Sequence, residues 1–214
     1  MNSLAIFGTG GFAREVYSVA IDCGFQNFVF IKNDEVKLSE FCGCKVVSQG
    51  EVADLAHSNF KFAIGIASPM IKKRIYKEYE DLNFCNLVHP TVVSDANFKD
   101  FLTSKKGVII AANVVLMLDA YVDDFVTIGT QSSIGHNSII NMFSSLMPNV
   151  TISGFVKVCS SSFIGASATV LQGDENAYLT LESNCIVGAA SLINRNVDAG
   201  TTVFGIPAKR KKID

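Results

Sequence analysis

Val126-Thr127-Ile128-Gly129-Thr130-Gln131, Ser132-Ser133-Ile134-Gly135-His136-Asn137, Ser138-Ile139-Ile140-Asn141-Met142-Phe143 and Ser144-Ser145-Leu146-Met147-Pro148-Asn149 are four consecutive hexads with an aliphatic residue at the third position of each. The same spacing begins with Ile110, Leu116 and Val122 and continues through Ile152, Val158, Ile164 and Val170, eleven residues in strict register. A helix repeats at about 3.6 residues and a strand at about 2, so neither produces this pattern. It predicts a parallel β-helix in which each short strand sends one branched side chain to a common axis. Two positions earlier each unit carries a small or β-branched residue: Val108, Val114, Ala120, Val126, Ser132, Ser138, Ser144, Val150, Val156, Ser162 and Ala168. Such residues suit a tight triangular corner. The register slips after Val170 and resumes at Leu181, Val187 and Ile193, so residues 173–178 are expected to bulge as a loop. That loop either shapes a ligand groove or is decoration.

The first 88 residues read differently. Ser3-Leu4-Ala5-Ile6-Phe7 is a short apolar strand, Gly8-Thr9-Gly10-Gly11 a glycine turn, and Phe12 to Cys23 an amphipathic helix. Phe28-Val29-Phe30-Ile31 makes a second strand, Lys61 to Ile66 a third, and Pro69 to Leu82 a helix rich in Lys, Arg and Glu. This order predicts an α/β, Rossmann-like βαβ domain over residues 1–88 with a parallel sheet, followed by an all-β coil over 89–214. The junction is expected near Leu87-Val88-His89-Pro90.

Gly8, Gly10 and Ala13 fit G-x-G-x-x-A, in which glycine lets the backbone approach an anion at the start of a helix. A nicotinamide site also wants an acidic residue at the end of the second strand; here the strand ends in Lys32-Asn33, with Asp34 one step late. Binding of a phosphate-bearing small molecule is the expectation, and a tight turn without ligand is the alternative.

The 214 residues carry a formal charge of −2, which gives no general attraction to nucleic acid or anionic lipid. No apolar run reaches membrane-spanning length and the N-terminus enters a strand directly, so a cytoplasmic protein without membrane insertion is expected. Cys23, Cys42, Cys44, Cys85, Cys159 and Cys185 form no CxxC pair with a nearby histidine, so no metal is expected and reduced thiols are the simplest reading.

Three motifs in order, Phe7-Gly8-Thr9-Gly10-Gly11-Phe12-Ala13-Arg14-Glu15-Val16, Ile134-Gly135-His136-Asn137-Ser138 and Phe204-Gly205-Ile206-Pro207-Ala208-Lys209, run over essentially the whole chain. Through them it resembles the bacterial nucleotide-sugar acetyltransferases of the left-handed β-helix (hexapeptide repeat) superfamily. Within that superfamily the resemblance is to the sialic acid O-acetyltransferase group and the aminosugar N-acetyltransferases of the bacillosamine and perosamine pathways. The resemblance implies a left-handed coil and a homotrimer, with acetyl-CoA as co-substrate between neighbouring coils. It also implies a nucleotide-linked aminosugar reaching in from the N-terminal domain, along Gly8, Gly10, Gly11, Phe12, Lys32, Asn33 and Gly65. His136 takes the place of the family's catalytic base, and removal of the acceptor proton as a thioester is attacked suits an imidazole. Gly154 would offer its amide to the thioester oxygen, Gly165 and Gly188 would let the pantetheine arm lie close, and Lys209, Arg210, Lys211 and Lys212 would meet the adenosine phosphates.

The chain departs from the family at several of these positions. Asn137 replaces the Asp or Glu that follows the histidine, yet its carbonyl can still accept from the ring. Ser145 replaces a second histidine that some members place near the thioester. Phe12-Ala13 stands for a frequent His-Gly, and Lys32-Asn33 for an acidic pair that contacts uracil. His57, expected in a helix-to-strand connection, and His89, expected in a structural hydrogen bond, are poorer candidates for the base. The implied activity is N-acetylation of a nucleotide-linked aminosugar in surface glycan synthesis. Sugar O-acetylation on the same fold and a catalytically degenerate binding protein are the alternatives.

Overall fold

The computed structural model describes residues 2–33 and 37–211, apart from the side chain of Lys99. Asp34 and Lys212 lie outside the described residues. The N-terminal sheet contains β1 (Ser3–Phe7), β2 (Asn27–Lys32), β3 (Glu40–Phe41), β4 (Cys44–Ser48) and β5 (Lys61–Ile64), in the spatial order β3-β4-β2-β1-β5. All pairings are parallel except the β3–β4 hairpin. Helices α1 (Gly11–Asp22) and α2 (Val52–His57) connect them, and α3 (Pro69–Glu78) leads from β5 toward the coil. The sequence pattern missed β3, β4 and α2: Val46 and Val47 are both buried, and an apolar pair that faces both sides of a sheet has no alternation to read. His57 is the last residue of α2, not part of a connection, and α3 stops at Glu78, short of the expected Leu82.

The coil is assembled from parallel two- and three-residue strands in three sheets, one of which ends in the antiparallel pair Thr202–Gly205 and Ala208–Arg210. Thr127 pairs with Ile109 and Ser145 with Thr127, so one turn takes eighteen residues; Ile186 pairs with Phe163, twenty-three apart, which marks a five-residue insertion. The axial residues from Ile110 to Val170 are at most 3% exposed, and Leu181, Val187 and Ile193 continue them. Leu87–Val88, the first strand of the coil, pairs with Ile109–Ile110. Among the described residues no helix is long and apolar enough to cross a membrane.

The corners have a chemistry that the hexad pattern did not reveal. Three residues after each axial position from Ile110 to Ile164 the backbone turns left-handed, at Asn113, Asp119, Phe125, Gln131, Asn137, Phe143, Asn149, Phe155, Ser161 and Ser167, with φ between 55° and 62°. Asn and Asp tolerate that region; phenylalanine does not do so readily. The buried serines stitch successive turns: Ser138 Oγ donates to Ser153 O (2.7 Å) and accepts from Val156 N–H (3.1 Å), and Ser132 and Ser144 do the same one hexad away on either side. A buried hydroxyl is tolerable there because it is satisfied on both sides. Ser145 Oγ differs, since it is fully buried without a partner among the described residues.

Eighteen residues per turn over three corners give the prism three edges. One carries Gly107, Phe125, Phe143 and Ser161; the next Asn113, Gln131, Asn149, Ser167 and Ala190; the third Asp119, Asn137 and Phe155. The N-terminal domain packs on the first. Phe125 and Phe143 stack at 5.3 Å, and Tyr76 and Phe84 close over Phe125 at 4.6 and 5.2 Å. Lys72 of α3, 1% exposed, donates to Phe125 O (2.8 Å), Thr127 Oγ1 (3.2 Å) and Ser144 O (3.1 Å), pinning the helix to two turns of the coil.

Burial holds the Lys72 amine well below its ordinary value of 10.5. In the unfolded chain it keeps that value, so below 10.5 the unfolded state binds the extra proton and folding is penalised. The penalty is complete below the folded value and relieved as pH rises toward 10.5. The stability difference between wild type and Lys72→Met, read from denaturant midpoints, should therefore move in favour of the wild type as pH rises from neutral to about 10. A pH-independent difference would show that the amine titrates alike in both states.

Candidate active site

His136 follows Ile134-Gly135 and stands at the third edge of the prism. Its ring is exposed, and its carbonyl accepts from the Phe155 N–H below (3.1 Å), while the Asn137 N–H donates to Leu118 O above (3.2 Å). Leu118, His136 and Gly154 thus stack in one column. Gly135 explains the motif's middle position: a Cβ there would lie 2.5 Å from Gly154 N, in the backbone of the turn below. Tight stacking of these two turns requires glycine.

Asn137 Oδ1 lies 3.0 Å from His136 Nδ1. An amide oxygen only accepts, so Nδ1 is the donor to it, and in the neutral ring Nε2 presents a lone pair. Asn137 has a second role that the sequence did not disclose, since at φ 55° it is one of the left-handed corners, where Asn is favoured. Nε2 lies over Gly154, where an added Cβ would be 2.6 Å from it. The Gly154 N–H has no protein acceptor among the described residues. The exposed imidazole lies directly over the buried backbone of Gly154, a position that only a residue without a side chain leaves open.

This geometry yields a discriminating substitution. In Gly154→Ala the new methyl meets the tip of a movable ring, not backbone, and Gly154 is not in the left-handed region, so the coil should keep its melting temperature. The ring must swing away, and displacement of a positioned base should cut turnover by about 10–100-fold. Unchanged turnover in a folded variant would contradict the placement of Nε2.

The other predicted residues separate into groups. Gly165 and Gly188 stand beside the second edge, not the third, and the space next to them is filled by Ala189 N (2.5 Å from an added Cβ) and Phe204 Cβ (2.8 Å). Within one chain they serve the close stacking of turns and do not share an edge with His136. Lys209 and Arg210 are exposed on the closing hairpin, where Arg210 and Arg195 border a cavity of about 180 Å³. Ser145 is buried on another face from His136, so its hydroxyl cannot line the exposed His136 corner. His89 is held by Thr91 and by Asp22 (3.1 Å) at the junction, the structural role expected of it. Burial pushes the Cys85 thiol up to about 12 and raises those of Cys23, Cys159 and Cys185, which removes them as nucleophiles near neutral pH.

In the N-terminal domain the chain leaves β1 toward β2 on one side and returns to β5 on the other, so the topological switch lies between β1 and β5, where ligands enter open α/β sheets. Gly8 and Gly65 are packed together at that point: a Cβ on Gly8 would lie 3.0 Å from Gly65 O. Beside them is a cavity of about 350 Å³ lined by Gly8, Lys32, Asn33, Gln49 and Arg74 among others. Arg74 was missed because α3 reads as a general run of surface charge. Gly10 and Gly11 are exposed at the start of α1 with open space around them, whereas Phe12, in the first turn of α1, is half-buried against the core. Among the described residues no group of three or more His, Cys, Asp or Glu could hold a metal ion.

Comparison with known proteins finds the same architecture. Residues 3–79 match the family model of the PglD N-terminal domain. The chain is 24% identical to the GDP-perosamine N-acetyltransferase of Escherichia coli O157:H7, over 99% of this chain and 97% of that one. Among solved structures, a mutant perosamine N-acetyltransferase from Caulobacter crescentus in complex with CoA and GDP-perosamine superposes with a TM-score of 0.87 at 22% identity, covering 100% of this chain and 98% of that chain. The acetyltransferase domain of PglB from Neisseria gonorrhoeae in complex with acetyl coenzyme A gives 0.84 at 23%, covering 98% and 99%. The fold is an N-terminal α/β domain followed by a left-handed parallel β-helix; the hexads and the glycine turn led one to expect the two architectures, and the family resemblance the left hand.

Proposed function

We propose that this chain is an acetyl-CoA-dependent N-acetyltransferase of a nucleotide-linked aminosugar. The observation that carries the reading is the His136 corner, where Nδ1 faces Asn137 Oδ1 and Nε2 lies over the backbone of Gly154. The sugar amine attacks the thioester carbonyl carbon while His136 Nε2 takes an amine proton, and the Gly154 N–H receives the negative charge that develops on oxygen. Collapse of the tetrahedral species breaks the C–S bond, and the imidazolium returns its proton to the departing thiolate. Amide and free CoA thiol result, with no covalent enzyme intermediate.

The nucleotide is read as lying in the cavity between Gly8, Lys32, Asn33 and Arg74, with cationic side chains and helix N–H groups toward its phosphates. That cavity belongs to the domain packed on the first edge, while His136 is on the third and Gly165 and Gly188 are beside the second. One chain does not bring these parts to one edge. A homotrimer with coils side by side sets the edges of neighbours against each other, with acetyl-CoA between them and Lys209 and Arg210 toward its phosphates. On this reading the protein acts in the cytoplasm on precursors of a surface glycan.

The test is release of CoA thiol from acetyl-CoA with nucleotide-linked sugars that carry an amine, a hydroxyl or neither at the reacting carbon. GDP-perosamine is the first acceptor to try, because the relatives in hand are named for it. Release that requires the amine supports the reading. Release that requires only the hydroxyl would make the chain an O-acetyltransferase, and none with any acceptor would leave a binding protein.

A further inference from the structure

The five-residue insertion falls at one corner of the coil. Eighteen residues after Phe155, where the next corner of the His136 edge belongs, stands Gly173, whose N–H donates to Gly154 O (3.1 Å) as the Phe155 N–H does to His136 O. There the chain leaves the coil and turns back through mutual backbone bonds of Asp174 and Ala177. It rejoins at Leu179, whose N–H donates to Phe155 O (3.1 Å). An added Cβ at Gly173 would lie 2.4 Å from both Phe155 O and Leu179 N, so the excursion is closed directly beneath Phe155. Its last residue, Tyr178, meets the Phe155 ring edge to face at 5.8 Å and 85°, and Phe155 meets the His136 ring at 5.0 Å and 88°. Three rings run in series from the insertion to the imidazole.

Phe155 also occupies a backbone conformation that phenylalanine resists, with φ 55°. Two other corner phenylalanines share that conformation, and their use is evident: Phe125 and Phe143, 1% and 4% exposed, form the interface with the N-terminal domain. Phe155 is only half-buried, and its ring pairs among the described residues are with His136 and Tyr178. Asparagine stands at four other corners of the coil, including Asn137 directly above, so a residue better suited to the turn was available. A residue kept against local preference beside a reactive group marks a functional constraint.

We propose that Phe155, braced by Tyr178 of the insertion, is a positioning residue that holds the His136 imidazole with Nδ1 on Asn137 and Nε2 over Gly154. The inference rests on His136 as the base of the proposed reaction. With Asn137 supplying no charge, ring orientation depends on one neutral hydrogen bond and this aromatic wall, and the insertion becomes part of the site instead of decoration.

The test compares Phe155→Asn, Phe155→Tyr and Tyr178→Ala in the full-length protein. Thermal midpoint, kcat, the KM for acetyl-CoA and the ¹⁵N signals of the His136 ring, which report its tautomer, are measured for each. Phe155→Asn should keep or raise the thermal midpoint and lower kcat by about tenfold or more with KM within about twofold, since positioning and not binding is lost. Its ring should populate both tautomers where the wild type shows one. Phe155→Tyr should restore both properties, and Tyr178→Ala should fall between. Native kcat or a native tautomer in folded Phe155→Asn would overturn the proposal. If the wild type acetylates no aminosugar, the functional reading fails separately, and the tautomer comparison still decides whether Phe155 orients the ring.

Discussion

His136→Ala is expected to lower turnover by about two to four orders of magnitude, the usual worth of a positioned general base. His89 does not stand in for it, because it is tied to Asp22 and Thr91 at the domain junction, and burial raises the thiols of Cys23, Cys85, Cys159 and Cys185. The effect should fall on kcat more than on the KM for acetyl-CoA, since the imidazole serves the acceptor's proton. The fold should survive, because the ring is exposed while the core of the coil is the aliphatic axis from Ile110 to Val170. Steady-state kinetics beside a thermal melt check both halves. Near-normal turnover in a folded variant would move the base elsewhere, and a collapsed variant would mean that the His136 corner supports the coil.

Ile152→Asp is expected to abolish folding of the coil. Ile152, 1% exposed, pairs with Ile134 in the turn above and Val170 in the turn below, in a column where no cation or hydrogen-bond donor side chain faces the axis. A carboxylate there must either be buried unpaired or protonated, at a cost of several kcal/mol, comparable with the whole stability of an ordinary domain. Thr151→Asp is the control: Thr151 is the adjacent residue of the same strand, exposed on the outer surface, and the same charge there should change stability by less than about 0.5 kcal/mol. Far-ultraviolet dichroism, solubility and thermal melts of the two variants decide it. Equal behaviour would mean that the axis runs through other residues.

The axis was legible because one side chain in six is dictated by burial and nothing else competes at that position. Residues whose roles depend on neighbours from other turns were not. Asn137 was read as a partner of the ring, which it is, but its left-handed backbone appears only when its corner is seen in series with Asn113, Asn149 and Phe155. Lys72 lies in a helix with Lys73, Arg74 and Lys77, and no charge pattern distinguishes the cation that is buried under the coil from the one that faces the cavity. Gly165 and Gly188 enter through the family resemblance as neighbours of the coenzyme, and their second use, letting the adjacent turn pack into the space that their missing side chains leave, appears only in the fold. The β3–β4 hairpin was missed because Val46 and Val47 face opposite sides of a sheet buried on both. In the candidate site, His136 was readable through the Ile-Gly-His motif and Gly154 only through the family resemblance, while Arg74 and Phe155 required the packing of distant elements.

The most direct test of the account is the product itself. The protein, acetyl-CoA and GDP-perosamine are incubated, and the sugar nucleotide is recovered for mass spectrometry and mild alkaline treatment. The account predicts a nucleotide sugar heavier by one acetyl group, stable to alkali as an amide is, formed at a rate that falls by about two to four orders of magnitude in His136→Ala. An alkali-labile ester, or the same amide formed at the same rate without His136, would contradict it.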